Sequence, residues 1–254
     1  MTKCITVSNL VCSYGKEDVL KNISLDIYEN DLIFLMGNNG SGKTTLLNCL
    51  LNNLFYKSGN IELYGNDIKK MSRDLFARKV AYIPQNFNKV CEFSVKDYLV
   101  LGRNPYIRLG NPQKTDYEIV ERYAKQTGID DFLDRPFNAL SGGQKQWIAI
   151  TRAIVQETPV IIMDEPMSAL DFGKQAELLA LLKELKHQGK TIILTTHNPN
   201  HCFCSSDSKV CIVNNGIIEA YGSSTIAFND TLIQKIYGEK VYKSADGLLS
   251  FNMQ

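Results

Sequence analysis

A glycine-rich loop carries the residue types that bind a phosphate chain: Gly37-Asn38-Asn39-Gly40-Ser41-Gly42-Lys43-Thr44. Its glycines allow backbone N–H groups to curl around phosphate oxygens without side-chain clashes. We expect Lys43 to reach the terminal phosphates as a point charge and the Thr44 hydroxyl to ligate magnesium. The adjacent Thr45 belongs to the same expected contact set. The loop therefore predicts that the chain binds ATP with Mg²⁺.

Two acidic residues follow a short apolar run, Val160-Ile161-Ile162-Met163, which reads as a buried strand. Ligands of open α/β sheets bind at the carboxyl ends of strands. We expect Asp164 to hold the magnesium ion and Glu165 to polarise an attacking water as a general base. The alternative for such a pair, taken alone, is a solvated acidic turn before Pro166. Together with the phosphate loop, the pair predicts ATP hydrolysis.

A third motif opens a predicted helix: Leu140-Ser141-Gly142-Gly143-Gln144. A serine hydroxyl and bare glycine amides at a helix N-terminus form an anion site. The set Ser141, Gly142, Gly143 and Gln144 is therefore a second predicted phosphate-binding device, separate in sequence from the first.

The apolar spacing predicts the elements that must position these residues. Leu32 to Met36 reads as a buried strand, and the leucines from Leu46 to Leu54 predict a helix from Lys43 to Leu54. Several strands are expected before residue 60, a polar insert over 88–140, and a helical cap after Ser223. Later elements alternate, which predicts a mostly parallel sheet with helices on both faces. The expected later elements are helices at Lys114 to Gly128, Gly143 to Gln156 and Lys174 to His187, and strands at Thr191 to Thr196 and Val210 to Val213.

Composition limits the classes of protein to consider. The 254 residues are 44% hydrophobic and 22% charged, as in folded globular proteins. A chain of this length can bury one core and has room for a subdomain. The 28 basic and 27 acidic residues leave a net charge of +1, so no global field draws the chain onto nucleic acid or anionic lipid. We therefore expect no nucleic-acid partner, and membrane contact only through another protein.

The termini and cysteines indicate a cytosolic compartment. No apolar run approaches the ~20 residues needed to span a bilayer, and the polar start Met1-Thr2-Lys3-Cys4 does not resemble a secretion signal. The seven cysteines follow no regular framework, so we expect reduced thiols. Cys202 and Cys204 beside His201 suggest a metal, but their spacing fits no common zinc pattern. Buried thiols are the favoured interpretation.

With these three motifs, the sequence resembles, over its whole length, the nucleotide-binding subunits of ABC transporters. The resemblance implies an α/β P-loop NTPase fold: a RecA-like core with a mostly parallel sheet, an N-terminal antiparallel β subdomain and an inserted helical subdomain. It implies one domain over 1–254, with a nucleotide-binding core of 1–86 and 157–254. The helical subdomain of 87–156 would carry the signature motif at Leu140 to Gln144.

The same resemblance assigns roles to four further residues. Gln85, after Tyr82-Ile83-Pro84, matches the Q-loop glutamine, which contacts magnesium and joins Lys43, Glu165 and His197 in the expected catalytic set. The other three matches are Asp171 in the D-loop Ser168-Ala169-Leu170-Asp171, His197 as the switch histidine after Thr195-Thr196, and Tyr14 as the aromatic residue that stacks on adenine.

By the mechanism of the family, two copies close head to tail, and ATP on Lys43 of one copy is capped by Ser141 and Gly143 of the other. The chain would dock, through 86–140, on separate transmembrane permease subunits at the cytoplasmic face of the membrane. An extracytoplasmic substrate-binding protein would act indirectly. An exporter subunit and an ABC protein acting on nucleic acid remain alternatives; the balanced charge and single ATPase half disfavour the latter.

Three segments are similar to importers of iron-siderophore complexes, haem and cobalamin: Val100 to Tyr106, His197 to His201, and Ile233 to Tyr242. Importers of molybdate or metal ions share much of the sequence of these segments and are the alternative.

Trp147, the only tryptophan, is expected to pack in the core; an interface anchor is the second interpretation. Thr151 departs from the small apolar residue usual in relatives, and Lys145 from an arginine.

Overall fold

A computed structural model describes residues 2–85, 92–107, 110–223, 230–238, 241–244 and 248–251. The chain forms two compact units, Met1–Met71 together with Leu179–Gln254, and Ser72–Leu178. The expected subdomain border at residue 87, and the start of the expected docking segment, lie outside the described residues. In the part that is described, no helix has the length and apolarity to cross a membrane.

The strands are β1 (Lys3–Tyr14), β2 (Glu17–Tyr28), β3 (Leu32–Met36), β4 (Ser58–Leu63), β5 (Asn66–Asp67), β6 (Val80–Ile83), β7 (Val160–Met163), β8 (Thr191–Thr195), β9 (Lys209–Asn214), β10 (Ile217–Ser223), β11 (Val241–Lys243) and β12 (Leu249–Phe251). The α-helices are α1 (Lys43–Leu50), α2 (Arg73–Ala77), α3 (Val95–Val100), α4 (Lys114–Gln126), α5 (Gly142–Val155), α6 (Phe172–His187) and α7 (Asp230–Tyr237). Short 3-10 helices lie at Ile68–Lys70, Leu101–Tyr106, Asp130–Phe132, Phe137–Ala139 and Pro199–Cys204.

The unit that contains both termini is built on two sets of strands. An antiparallel sheet has the order β2-β1-β4-β5, and a second set has the order β10-β9-β3-β8. Strand β3 lies between β8 and β9 and is parallel to both. All five of its residues are buried, as expected for a strand covered on both faces. The mixed α/β class, with a parallel-rich sheet and an N-terminal antiparallel sheet, is confirmed.

The unit of Ser72–Leu178 contains the parallel pair β6 and β7, with Val80 opposite Val160 and Ile83 opposite Met163. Helices make up most of the remainder. Helix α3 begins with a capping box, in which the Ser94 hydroxyl accepts from the Asp97 N–H and the Asp97 carboxylate accepts from the Ser94 N–H. The observed ends of α4 and α5 lie within two residues of the ends predicted from apolar spacing.

Helix α1 ends at Leu50, four residues before the predicted end at Leu54. The cause is Asn52, whose φ of 55° lies in the left-handed region and whose N–H donates to Cys49 O at 3.0 Å. Asparagine is one of the residues that tolerate this conformation. The tail also differs from the expected helical cap, because α7 is followed by the antiparallel hairpin of β11 and β12.

The segment that resembles chelate importers, Val100 to Tyr106, has a packing role in its unit. Arg103 is buried and binds Asp116 at 3.2 Å and Glu157 at 2.8 Å. Its Nη1 also donates to Val155 O at 2.9 Å. A Cβ atom on Gly102 would lie 2.6 Å from Arg152 O, so only glycine fits there. These residues stabilise the helical unit rather than forming a chemical site.

Candidate nucleotide site

The phosphate loop leaves the end of β3 and folds back over its own unit. Gly37 has a φ of 140°, and a Cβ atom there would lie 1.9 Å from Val213 O on β9. Gly42, with a φ of 108°, is similarly confined by the Leu20 side chain at 2.9 Å. Gly37 has no room for a side chain beside the β9 backbone, and the φ of Gly42 is strained for any residue with a Cβ atom, which explains two of the glycines in the sequence motif.

Lys43 is 6% exposed although it carries a charge. Its Nζ donates to Gly37 O at 2.8 Å and to Asn38 O at 2.9 Å. The ammonium group is therefore held against the loop by carbonyl oxygens, which carry only partial negative charge. An anionic phosphate oxygen is a stronger partner for an ammonium group than a carbonyl.

The start of α1 suits an external anion. Its N-cap, Gly42, supplies no side-chain acceptor, and the first turn contains no acidic residue. The first bond of the helix runs from Leu46 N to Gly42 O at 2.8 Å, and the preceding N–H groups have no intrahelical partner. The buried Ser41 hydroxyl also has no hydrogen-bond partner within the described residues. A phosphate chain would satisfy these donors and the positive end of the helix dipole.

The other predicted contacts in this unit differ in exposure. Thr45 is buried, whereas Thr44, Asn39 and Gly40 are exposed at the mouth of the loop. Tyr14 is 55% exposed, so its ring is available for stacking.

His197 follows β8 in the same unit and is exposed. It borders a cavity of about 610 Å³ that is also lined by Tyr237, Val241 and Leu249. The preceding Thr196 hydroxyl lies 2.8 Å from Nδ1 of His201. Burial lowers the pKa of His201 below its ordinary value, so this imidazole is neutral at pH 7 and holds the loop without charge.

The acidic pair lies in the other unit, directly after β7. Asp164 is 4% exposed, and its N–H donates to Ile83 O at 2.9 Å. Glu165 adopts a φ of 48°, a conformation unusual for a residue with a side chain. The N–H and hydroxyl of Ser168 both donate to Glu165 O, at 3.2 and 3.0 Å, and so fix this turn.

Gln85 and Glu165 meet in space, although 80 residues separate them. Nε2 of Gln85 donates to Oε2 of Glu165 at 2.7 Å. The structure thus brings together the predicted Q-loop glutamine and the predicted general base, within one unit.

The signature motif begins α5 with a reciprocal cap. The Ser141 hydroxyl accepts from Gln144 N at 3.3 Å, and the Gln144 side chain accepts from Ser141 N at 3.0 Å. Ser141, Gly142 and Gln144 are exposed. A Cβ atom on Gly143 would lie 3.1 Å from Ala169 O, so the signature packs closely against the D-loop of the same unit.

Asp171 also begins a helix, because its Oδ1 accepts from Lys174 N at 2.8 Å in the first turn of α6. A cavity of about 320 Å³ lies between this turn and the start of α5. The sequence motifs do not predict this pairing of two helix starts, since each motif is a separate local signal.

Trp147 packs in the core, as the first interpretation expected. It is 7% exposed, and its indole N–H donates to Thr127 O at 2.9 Å. The Thr127 hydroxyl lies 3.0 Å from the hydroxyl of Thr151. A hydroxyl at position 151 is therefore satisfied in the core, which explains the departure from a small apolar residue.

The family model of the ABC transporter matches residues 20–168, more than half of the chain. The chain belongs to this family. It is an ATP-binding subunit that hydrolyses ATP to drive transport. In importers of the family such subunits dimerise and pair with transmembrane permeases.

Two relatives and one solved structure illustrate the similarity. The achromobactin transport ATP-binding protein CbrD of Dickeya dadantii is 34% identical over 92% of this chain and 87% of its own length. The manganese transport system ATP-binding protein MntB of Bacillus subtilis is 31% identical over 97% of both chains. A transporter assigned to the metal-chelate type, solved in an inward-facing conformation, superimposes with a TM-score of 0.83 at 28% identity, covering 99% of this chain and 97% of that one. These likenesses show the family and the P-loop NTPase fold.

Gly37→Ala tests the steric origin of the loop. We expect at least ~100-fold weaker ATP binding, because the new Cβ must displace the backbone of β9. Gly40→Ala is the matched control, since it also has a positive φ of 75° but no atom within 4 Å of its Cβ. It should weaken binding by about tenfold or less. Titration with a fluorescent ATP analogue measures both; equal losses would contradict the assignment of the close contact to Gly37.

Proposed function

We propose that this chain is the ATP-hydrolysing subunit of an ABC importer that takes up a metal chelate, such as an iron-siderophore complex, haem or cobalamin. The proposal of ATP hydrolysis is supported by the position of Glu165 at the carboxyl end of β7, where it accepts a hydrogen bond from Gln85 at 2.7 Å. The cargo part is supported by the similarity to an achromobactin transport protein and to a metal-chelate type transporter.

In the unit that holds the loop, the backbone N–H groups of Gly37 to Thr45 and the Ser41 hydroxyl bind the phosphates. Lys43 exchanges its carbonyl partners for phosphate oxygens. The Thr44 hydroxyl is a ligand of magnesium, and Tyr14 stacks on the adenine. His197 donates a hydrogen bond to the terminal phosphate and so stabilises charge that develops during hydrolysis.

In the other unit, Glu165 acts as the general base. Gln85 donates to Oε2 of Glu165, which orients the carboxylate that accepts a proton from the attacking water. As the proton leaves, the water oxygen attacks the terminal phosphorus, and the bond to the leaving ADP oxygen breaks. Asp164 and Gln85 are the proposed magnesium ligands here; a bound magnesium ion neutralises phosphate charge.

Dimerisation completes the site in this proposal. Ser141, Gly142 and Gln144 are exposed at the start of α5, where the helix dipole and glycine amides attract an anion. In a head-to-tail pair, Ser141, Gly143 and Asp171 of one copy face the nucleotide bound to Lys43 of the other. Release of the terminal phosphate removes the shared ligand, and the dimer reopens.

In such an importer, the chain lies at the cytoplasmic face of the membrane and binds permease subunits through residues 86–140. An extracytoplasmic substrate-binding protein delivers the cargo. An importer of a free metal ion is the second candidate. It is favoured by the full-length similarity to a manganese transport protein.

Glu165→Gln should stop hydrolysis while ATP still binds, because glutamine fills the same volume but cannot accept the proton. We expect turnover to fall at least ~100-fold, and a stable dimer to appear in size-exclusion chromatography with ATP and Mg²⁺. Glu177→Gln, which removes an exposed carboxylate on α6, is the control and should keep normal turnover. Near-normal turnover in Glu165→Gln would contradict the role of Glu165.

Mixing two inactive variants tests the head-to-tail pair. Lys43→Ala disables the phosphate loop and Ser141→Arg blocks the signature, so each homodimer has no intact site. A mixed dimer contains one intact site, and an equimolar mixture should recover about a quarter of wild-type turnover. If the mixture shows only the sum of the separate rates, each copy completes its own site and the proposed dimer is wrong.

The cargo is tested after co-purification of the chain with its permease and reconstitution in lipid vesicles. We expect binding protein loaded with a ferric siderophore to raise ATP turnover several-fold, whereas binding protein offered Mn²⁺ or molybdate should not. Stimulation by Mn²⁺ instead would favour the second candidate.

A further inference from the structure

The C-terminal segment, which we define as the described residues 230–238, 241–244 and 248–251, contacts two loops of the proposed ATP site in its own unit. Asn38 of the phosphate loop donates from Nδ2 to Ile236 O, in the last turn of α7, at 2.7 Å. Asn200, three residues after His197, exchanges two hydrogen bonds with the backbone of Leu249 on β12. Its Nδ2 donates to Leu249 O at 3.1 Å, and its Oδ1 accepts from Leu249 N at 2.8 Å.

The segment is itself firmly attached to the unit. Ile233 and Ile236 of α7 are 1% and 3% exposed. Lys235 binds the Glu219 carboxylate of β10 at 2.7 Å, and the same contact lowers the pKa of Glu219. Helix α7 is therefore a fixed support, and its terminal carbonyl groups are acceptors without intrahelical donors. The amide of Asn38 satisfies one of them.

Asn38 links this support directly to Lys43. The Asn38 carbonyl accepts from Lys43 Nζ at 2.9 Å, while its side chain is tied to α7. A shift of the Asn38 backbone would move both the lysine and the N–H groups that curl around the phosphates. The tie to Ile236 O therefore acts on nucleotide binding.

Asn200 acts on the other loop. A cavity of about 610 Å³ lies where this loop meets the C-terminal segment, since His197 and Asn200 line it together with Leu249. The paired hydrogen bonds of Asn200 span this junction. They match the two bonds that a strand partner would make, so they fix both the position and the direction of the loop.

We propose that Asn38 and Asn200 are positioning residues through which the C-terminal segment holds the phosphate loop and the His197 loop in register for ATP hydrolysis. Asn38 sets ATP affinity, and Asn200 sets the rate of the chemical step. The inference rests on the proposed function, since it assigns these loops to ATP binding and catalysis.

The two roles predict a split in the kinetic constants of the full-length chain. Asn38→Ala should weaken ATP binding by about 3- to 10-fold, the effect of one lost hydrogen bond. Asn200→Ala should lower kcat by about 3- to 10-fold and change the Kd for ATP by less than about twofold. Asn200→Asp keeps the acceptor for Leu249 N and loses the donor, so its kcat should lie between those of Asn200→Ala and wild type.

Asn66→Ala is the matched control, because it also removes an amide-to-carbonyl bond, here to Tyr64 O within a surface turn. It should leave Kd and kcat unchanged. Thermal unfolding of each variant shows whether it is folded. If Asn38→Ala and Asn200→Ala are as stable as Asn66→Ala and keep normal Kd and kcat, the inference is wrong. It is also wrong if both variants lose stability and change Kd and kcat together, since this indicates only a structural role.

Glu165→Gln in the same assay separates this inference from the proposed function. If Glu165→Gln retains turnover, the proposed catalytic site fails. If Glu165→Gln is inactive and Asn200→Ala is fully active, the catalytic site stands and only the role of the C-terminal segment fails.

Discussion

Among the described glycines, the tightest steric constraint is at Gly37, where the phosphate loop passes beside β9. A single carbon atom added at Gly37 would meet Val213 O at 1.9 Å, so the loop backbone lies against the sheet with no intervening side chain. This approach places the start of α1 at the end of the buried strand β3. The Lys43 ammonium, the Ser41 hydroxyl and the N–H groups of the first helical turn then converge on one small volume.

The N-termini of helices supply positive potential in both units, and their N-cap residues differ. Gly42 caps α1 without a side chain, which leaves its amides for an external ligand. Ser141 caps α5 through a reciprocal pair with Gln144, which fixes the helix while the glycine amides remain at the surface. Asp171 caps α6 with a carboxylate. The identity of each cap therefore decides how much of the dipole is available to a phosphate group.

The polar residues near the predicted chemistry are held by hydrogen bonds to neighbours in the chain and, at Glu165, to a residue 80 positions away. Glu165 adopts a strained left-handed conformation, which persists because Ser168 binds its carbonyl and Gln85 binds its carboxylate. The His197 loop is supported by neutral contacts between Thr196, Asn198 and His201. Such contacts orient side chains without placing further charge beside an anionic ligand.

The sequence by itself determined the motifs, the types of the main elements and the mixed α/β class, because glycine spacing, helix caps and apolar periodicity act over a few residues. It also located the core strand β3 and the signature helix α5. Tertiary structure alone decided the contacts of Asn38 with Ile236, 198 residues away, and of Thr151 with Thr127. It also joined the Asn52 side chain, just after the end of α1, to Ile68 O at 3.1 Å. These features depend on which groups lie nearby after folding, and no local pattern encodes that proximity.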